Sequence, residues 1–199
     1  MKDFIIGLDE SLFLILNSWH HSFVDDLMWW ISDFRTWIPL FIYWIYLLYK
    51  KNKKSFFSAL LMIIMVITLS DQISSRFFKP YFQRLRPSHE QKLSKSIHLL
   101  EEKKGQIYKG GKYGFVSSHA ANVFAVVLFL YLYIRKLFSI YWFFWAFLVS
   151  YSRIYLGVHY PLDIIVGAIL GIIVSYIVFL LFYSYIFKKS NINFEKEAN

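Results

Sequence analysis

Residues Leu162 to Phe187 read LDIIVGAILGIIVSYIVFLLFYSYIF, a block in which Asp163 is the one charge. A bilayer hydrocarbon core about 30 Å thick is crossed by roughly 20 mostly apolar residues in a helix, so this block predicts a membrane span. Working back along the chain, four further apolar blocks run from about Leu27 to Tyr49, Ser55 to Ser75, Ser118 to Ile134 and Leu137 to Leu156. Asp33 and Arg35 interrupt the first of these and move its expected start towards Trp37. Residues Phe4 to Trp19 are apolar at near-helical spacing but broken by Asp9, Glu10 and Asn17, a pattern that predicts an interfacial helix rather than a span. The fold class expected is therefore all-α: an integral membrane helical bundle of about five transmembrane helices with an N-terminal interfacial helix.

Composition agrees with that class. Of 199 residues, 57% are hydrophobic and 22% aromatic, and the mean hydropathy is +0.43. No Pro/Gly/Ser linker or shift in composition marks a second domain, so one membrane-embedded domain is expected, with its core at about 27–187, an interfacial segment at 1–26 and a polar, frayed cytoplasmic tail at 188–199. No removable signal peptide is read at the N-terminus. The formal charge of +9 suits anionic headgroups or phosphate esters, and no nucleic-acid partner is expected. The absence of cysteine excludes thiolate nucleophiles, disulfides and Cys-ligated metal.

Lys50, Lys51, Lys53 and Lys54 separate the first two spans, Arg135 and Lys136 the third and fourth, and Lys188 and Lys189 follow the fifth. All three clusters fall on one side, which the positive-inside rule makes the cytoplasm. The segment from Phe77 to Ser117 then lies outside, although it holds nine Lys or Arg against three Glu. Phosphate chemistry would account for those outer cations.

Three polar clusters meet at the outer helix ends: Lys79 to Pro87 after the second span, Phe115 to His119 opening the third, and Ser152 to Asp163 between the fourth and fifth. A phosphoryl group in transfer spreads negative charge over three oxygens and calls for fixed cations and donors. Lys79, Arg86 and Arg153 can supply cations, two of them as guanidinium forks. Ser117 and Ser118 fall at a helix N-terminus, where free N–H groups favour an anion. Asp163, four residues after His159, can accept a hydrogen bond from one imidazole nitrogen and leave the other as a nucleophile. His119 remains as a general acid and then base. Asp71, near the end of an apolar helix, is expected to pair with Lys79 or Arg76. His20, His21, His89 and His98 read as surface residues without partners.

In these residues the sequence resembles the type 2 phosphatidic acid phosphatase family, whose site is shared with vanadium haloperoxidases and some bacterial acid phosphatases. The family pattern is Lys, six residues, Arg-Pro; then Pro-Ser-Gly-His; then Ser-Arg, five residues, His, three residues, Asp. Lys79, Arg86 and Pro87 match the first element, and Ser152, Arg153, His159 and Asp163 the third. The second keeps Ser117 and His119 but has Val116 for Pro and Ser118 for Gly. The resemblance implies a metal-independent lipid phosphatase with no cofactor. In it His159 is the nucleophile, Asp163 its orienting group and His119 the acid and base, while Lys79, Arg86, Ser117, Ser118 and Arg153 hold the phosphate. Undecaprenyl diphosphate ranks first among its expected substrates, followed by phosphatidylglycerophosphate, phosphatidic acid and lipid A. A lipid-phosphate binder or transporter and a vanadate-dependent haloperoxidase are the competing readings. The segment from Ser88 to Gly114 is a candidate lid or substrate-selecting loop.

Overall fold

The computed structural model describes residues 2–102 and 105–197. Helix α1 (Lys2–Ser18) is followed by α2 (Ser22–Ser32), a 3-10 turn at Phe34–Trp37 and α3 (Ile38–Lys51). Helix α4 (Phe56–Gln72) passes through a π-helical turn (Ile73–Phe78) into α5 (Lys79–Phe82). An irregular segment with a small hairpin, β1 (Glu101–Glu102) and β2 (Gln106–Ile107), leads to α6 (Ser118–Tyr133), α7 (Trp142–Tyr155) and α8 (Pro161–Glu197).

The apolar blocks become helices, with shifted ends. The block from Leu27 to Tyr49 divides in two because Asp33 stops α2 and caps the 3-10 turn, accepting from Arg35 N at 3.0 Å. The fourth span starts at Trp142 rather than Leu137, since residues 135–141 form a turn whose Leu137 N–H reaches Ile134 O at 2.7 Å. Helix α8 continues to Glu197, so residues 190–197 of the tail expected to fray prolong the helix; extending a formed helix costs far less than starting one. The continuous rods Phe56–Phe82 and Pro161–Phe182 are long and apolar enough to cross a membrane.

The core lies between α3, α4, α6, α7 and α8, where Trp44, Leu48, Val66, Phe129, Leu130, Trp145 and Val178 are buried. Outward, Phe57, Leu61, Ile64, Ile165, Ile169 and Leu181 are exposed, as suits a lipid-facing surface. Helices α6 and α8 cross closely at Gly167 and Gly171. A Cβ at Gly171 would sit 2.1 Å from Ala121 O, and one at Gly167 2.6 Å from Ser117 O, so only glycine permits the approach.

Helix α1 has two unlike faces. Phe4, Ile5, Leu8, Leu12 and Ile15 are exposed, while Asp9, Phe13 and Asn17, one helical turn apart, are buried against the bundle. The polar residues that interrupt the apolar pattern are its docking points. Asn17 Nδ2 donates to Ile154 O (3.1 Å) and Tyr155 O (2.9 Å), capping the end of α7, and Asp9 Oδ1 accepts from Leu162 N (2.8 Å), capping the start of α8.

Candidate active site

The loop Leu156–Tyr160 brings the end of α7 back to the start of α8, with Gly157 at φ +70°. There, a side chain would strike Leu99 and His98 O. His159 is 1% exposed, and its Nδ1 lies 3.2 Å from Asp163 Oδ2 in the first turn of α8. On the other side of the ring, Nε2 lies 3.0 Å from Arg86 Nη1. The partners fix the tautomer: a guanidinium can only donate, so Nε2 carries the lone pair and Nδ1 the proton. Burial first, then Arg86 and Arg153, hold the imidazole well below its usual titration range, so it is neutral at physiological pH.

Arg86 also donates to Val158 O (3.2 Å) and Tyr113 O (3.3 Å). Burial, with Arg153 nearby, brings its pKa down to about 10, which still leaves it a cation at neutral pH. Gly110, at φ +63°, lets the backbone pass against that guanidinium, since a Cβ there would stand 3.0 Å from Nη1. Arg153, 4% exposed, donates from Nη1 to Ser32 Oγ and from Nη2 to Tyr108 OH (2.8 Å). Its Nε is buried with no hydrogen-bond partner among the described residues, a donor suited to an incoming anion.

The π-helical turn sets the third wall. It brings Ser74 Oγ (2.8 Å), Ser75 Oγ (3.1 Å) and Lys79 Nζ (2.9 Å) together on Ser118 Oγ. Lys79 is thus held by Ser118, not by Asp71. The expected pairing of Asp71 with Lys79 or Arg76 is absent: its side chain meets Ser75 Oγ and Gln72 Nε2, each at 3.4 Å. The wide turn carries Lys79 away from Asp71 and towards α6.

Ser117 is fully buried and caps α6, its Oγ accepting from Ala120 N at 3.4 Å, while its own N–H donates to Asp163 O at 3.0 Å. It ties α6 to α8, and it is not among the residues that line the cavity. Of the first-turn N–H groups, Ala120 and Ala121 are also satisfied by Ser117, so those of Ser118 and His119, which have no partner among the described residues, are open to a ligand. His119 faces the cavity together with Lys79, Arg86, Ser118 and Arg153. The structure therefore gathers every predicted site residue at one end of the bundle, with Ser117 in a supporting place.

That end opens into a cavity of about 730 Å³ walled by Trp37 and Phe41, Ile63 and Ile67, Val126 and Leu130, and Val149. From His119 to Leu130 along α6 is about 16 Å at 1.5 Å per residue, close to half of a hydrocarbon core about 30 Å thick. A second cavity of about 220 Å³, lined by Trp29, Asp33 and Arg35, shares Ser32, Tyr108, His119 and Arg153 with the first.

Residues 88–102 and 105–114 lie over this end and are pinned there by Gly114 N to Arg84 O (2.9 Å), Arg86 N to Lys112 O (3.2 Å) and Lys92 Nζ to Glu10 Oε1 (2.6 Å). His98 is not a lone surface residue. Its Nε2 lies 2.9 Å from Asp25 Oδ1 and its ring stacks on His20 at 3.9 Å. The sequence reading also passed over Tyr108, Ser32 and Gly114, where a Cβ would meet Asp163 Oδ2 at 2.9 Å. Most consequential is Arg84, which contacts Asp163 Oδ1 at 3.1 Å and Asp9 Oδ2 at 2.6 Å. The charge of Asp9 inside an apolar helix was the available signal, because such a charge calls for a partner.

Two guanidiniums, a lysine, two histidines and a helix N-terminus around the head of an apolar cavity define a membrane enzyme that handles phosphate esters of lipids. The chain belongs to the PAP2 superfamily, whose sequence pattern matches residues 60–187. It is 38% identical over 180 residues to a lipid A 4'-phosphatase of Porphyromonas gingivalis, covering 89% of this chain and 74% of that protein. It is 36% identical to a lipid A 4'-phosphatase of Bacteroides thetaiotaomicron (86% and 75% covered) and 30% identical to an undecaprenyl-diphosphatase of Sulfolobus acidocaldarius (86% and 77%). Among solved structures, Aquifex aeolicus LpxE superposes with a TM-score of 0.56 at 26% identity, covering 86% of this chain and 94% of that one. A PAP2 type phosphatidylglycerolphosphate phosphatase from Bacillus subtilis has a TM-score of 0.62 at 20% identity, over 87% and 84%, a likeness of fold. The protein is a membrane lipid phosphatase, a phosphoric ester hydrolase.

Proposed function

We propose that the enzyme removes a phosphate from a lipid A-type glycolipid at the extracytoplasmic face of the cytoplasmic membrane, through a phosphohistidine intermediate. The observation that carries the mechanism is the pair of contacts on His159, Asp163 at Nδ1 and a donor-only guanidinium at Nε2, which marks Nε2 as the nucleophilic lone pair. The phosphate of the lipid displaces the Arg86 guanidinium from Nε2 and is held by Lys79, Arg86, Arg153 and the N–H groups opening α6. Nε2 then attacks phosphorus, the bond to the lipid oxygen breaks, and His119 gives that oxygen its proton. In the second half a water, losing its proton to His119, attacks phosphorus, the N–P bond breaks, and inorganic phosphate leaves with His159 neutral again.

The relatives at 38% and 36% identity support lipid A as the first substrate to test, ahead of the polyprenyl diphosphate that the sequence placed first. The undecaprenyl-diphosphatase at 30% identity favours that lipid as the second reading. The three basic clusters at the far end of the bundle support the outward-facing site.

The test is phosphate release from lipid A, undecaprenyl diphosphate, phosphatidylglycerophosphate and phosphatidic acid in detergent, by wild type and by His159→Ala. Lipid A is expected to give the highest kcat/KM, and His159→Ala to lose at least about 10³-fold on every substrate. A faster rate on undecaprenyl diphosphate would transfer the assignment to that lipid. Wild-type turnover by His159→Ala would end the phosphohistidine mechanism.

A further inference from the structure

The mechanism proposed above turns on His159 and Asp163, and the groups behind that pair carry an inference that rests on that reading. Asp163 is fully buried, and a buried carboxylate persists as an anion only when its oxygens meet donors. Its Oδ2 accepts from His159 Nδ1 (3.2 Å) and from Tyr160 N (3.1 Å). Its Oδ1 accepts from Arg84 Nη1 at 3.1 Å. The same guanidinium extends through Nη2 to Asp9 Oδ2 at 2.6 Å and lies 3.9 Å over the ring centroid of Tyr160. Arg84 is therefore fixed from three directions, by two carboxylates and an aromatic face.

Asp9 is itself anchored. It is 7% exposed, and its other oxygen caps α8 through Leu162 N at 2.8 Å. One carboxylate of α1 thus sets both the start of the helix that bears Asp163 and the cation that neutralises Asp163. Helix α1 precedes residue 60, so it lies outside the segment matched by the superfamily pattern.

We propose that Asp9 and Arg84 are positioning residues for phosphoryl transfer. Asp9 holds Arg84, Arg84 keeps Asp163 ionised with Oδ2 turned to His159, and His159 is thereby presented with its proton on Nδ1 and its lone pair on Nε2. Without the guanidinium, Asp163 is a buried carboxylate with Oδ1 unpaired. It would either take up a proton or rotate, and in both cases the imidazole loses its fixed tautomer and aim.

The test uses the full-length protein in detergent with the lipid phosphate that wild type hydrolyses fastest. Asp9→Asn retains an oxygen for the Leu162 cap and replaces the carboxylate oxygen facing Arg84 with an amide nitrogen that cannot accept from it. Arg84→Gln is expected to lower kcat about 10²-fold with KM changed less than about threefold, as misaimed groups do, and Asp9→Asn about 10-fold. Arg84→Lys is expected to recover much of the loss. The deciding comparison is the double variant Arg84→Gln/Asp163→Asn, expected to be no slower than Asp163→Asn alone, because residues acting through one another are not additive. Should Arg84→Gln fail to fold, Asp9→Asn with and without Asp163→Asn reads the same coupling. Losses that multiply in the double variants, or a wild-type kcat in Arg84→Gln beside a slow Asp163→Asn, overturn the proposal alone. Asp163→Asn at wild-type speed would instead remove the mechanism beneath it, and the proposal with it.

Discussion

At His159 the imidazole is gripped from both ends, and the grip has a thermodynamic signature. The ring sits in the loop between α7 and α8, where burial and the guanidiniums of Arg86 and Arg153 depress its proton affinity. His89 is shifted the same way, by burial and then by Lys109. A histidine depressed on folding binds fewer protons in the folded than in the unfolded chain, so its contribution to stability is full above the unfolded value of about 6.5 and is lost as pH falls below it. Lowering the pH from about 6.5 towards 5 is therefore expected to take up to about 1.4 kcal/mol per pH unit from the contribution of each fully titrating histidine to stability, read in detergent as a fall in the thermal midpoint. His159→Gln is expected to flatten that slope. An unchanged slope would show that the buried imidazole does not titrate on unfolding.

Among the elements, the crossing of α6 on α8 decides how the site is assembled, because it sets Ser117 N against Asp163 O at 3.0 Å. Gly171→Leu would force the pair apart at Ala121 O and is expected to destabilise by about 3 kcal/mol or more, seen as a lowered thermal midpoint, with activity falling in parallel. Unchanged stability would mean that the helices are free to slide. The helices themselves were legible in the sequence because an apolar block long enough to span announces itself. The three clusters were legible because helix ends bring together what short spacing alone cannot. The His159–Asp163 contact was readable because Pro161 opens a helix whose first turn carries Asp163, only four residues after His159. Arg84 was not, since its partners Asp9 and Asp163 lie 75 and 79 positions away and no local periodicity encodes such a contact. The π-helical turn was equally hidden: nothing in Ile73–Phe78 distinguishes it from an ordinary turn, yet it sends Lys79 to Ser118 and leaves Asp71 without its expected cation.

In the molecule as a whole, the candidate site residues are gathered at one end and the cavity continues from them as an apolar chamber about one leaflet deep. A lipid tail lodged between α3, α4, α6 and α7 would spare the enzyme from lifting its substrate into water. The quantity it senses is then how crowded the substrate is within the bilayer plane. Diluting substrate with inert lipid or detergent at fixed bulk concentration is expected to slow the reaction in proportion to its mole fraction, and adding water at fixed mole fraction to leave it unchanged. A rate that followed bulk concentration would instead mean capture from solution. Turnover would thus be governed by lateral diffusion in two dimensions, and the dephosphorylated lipid would return to the same leaflet from which it came.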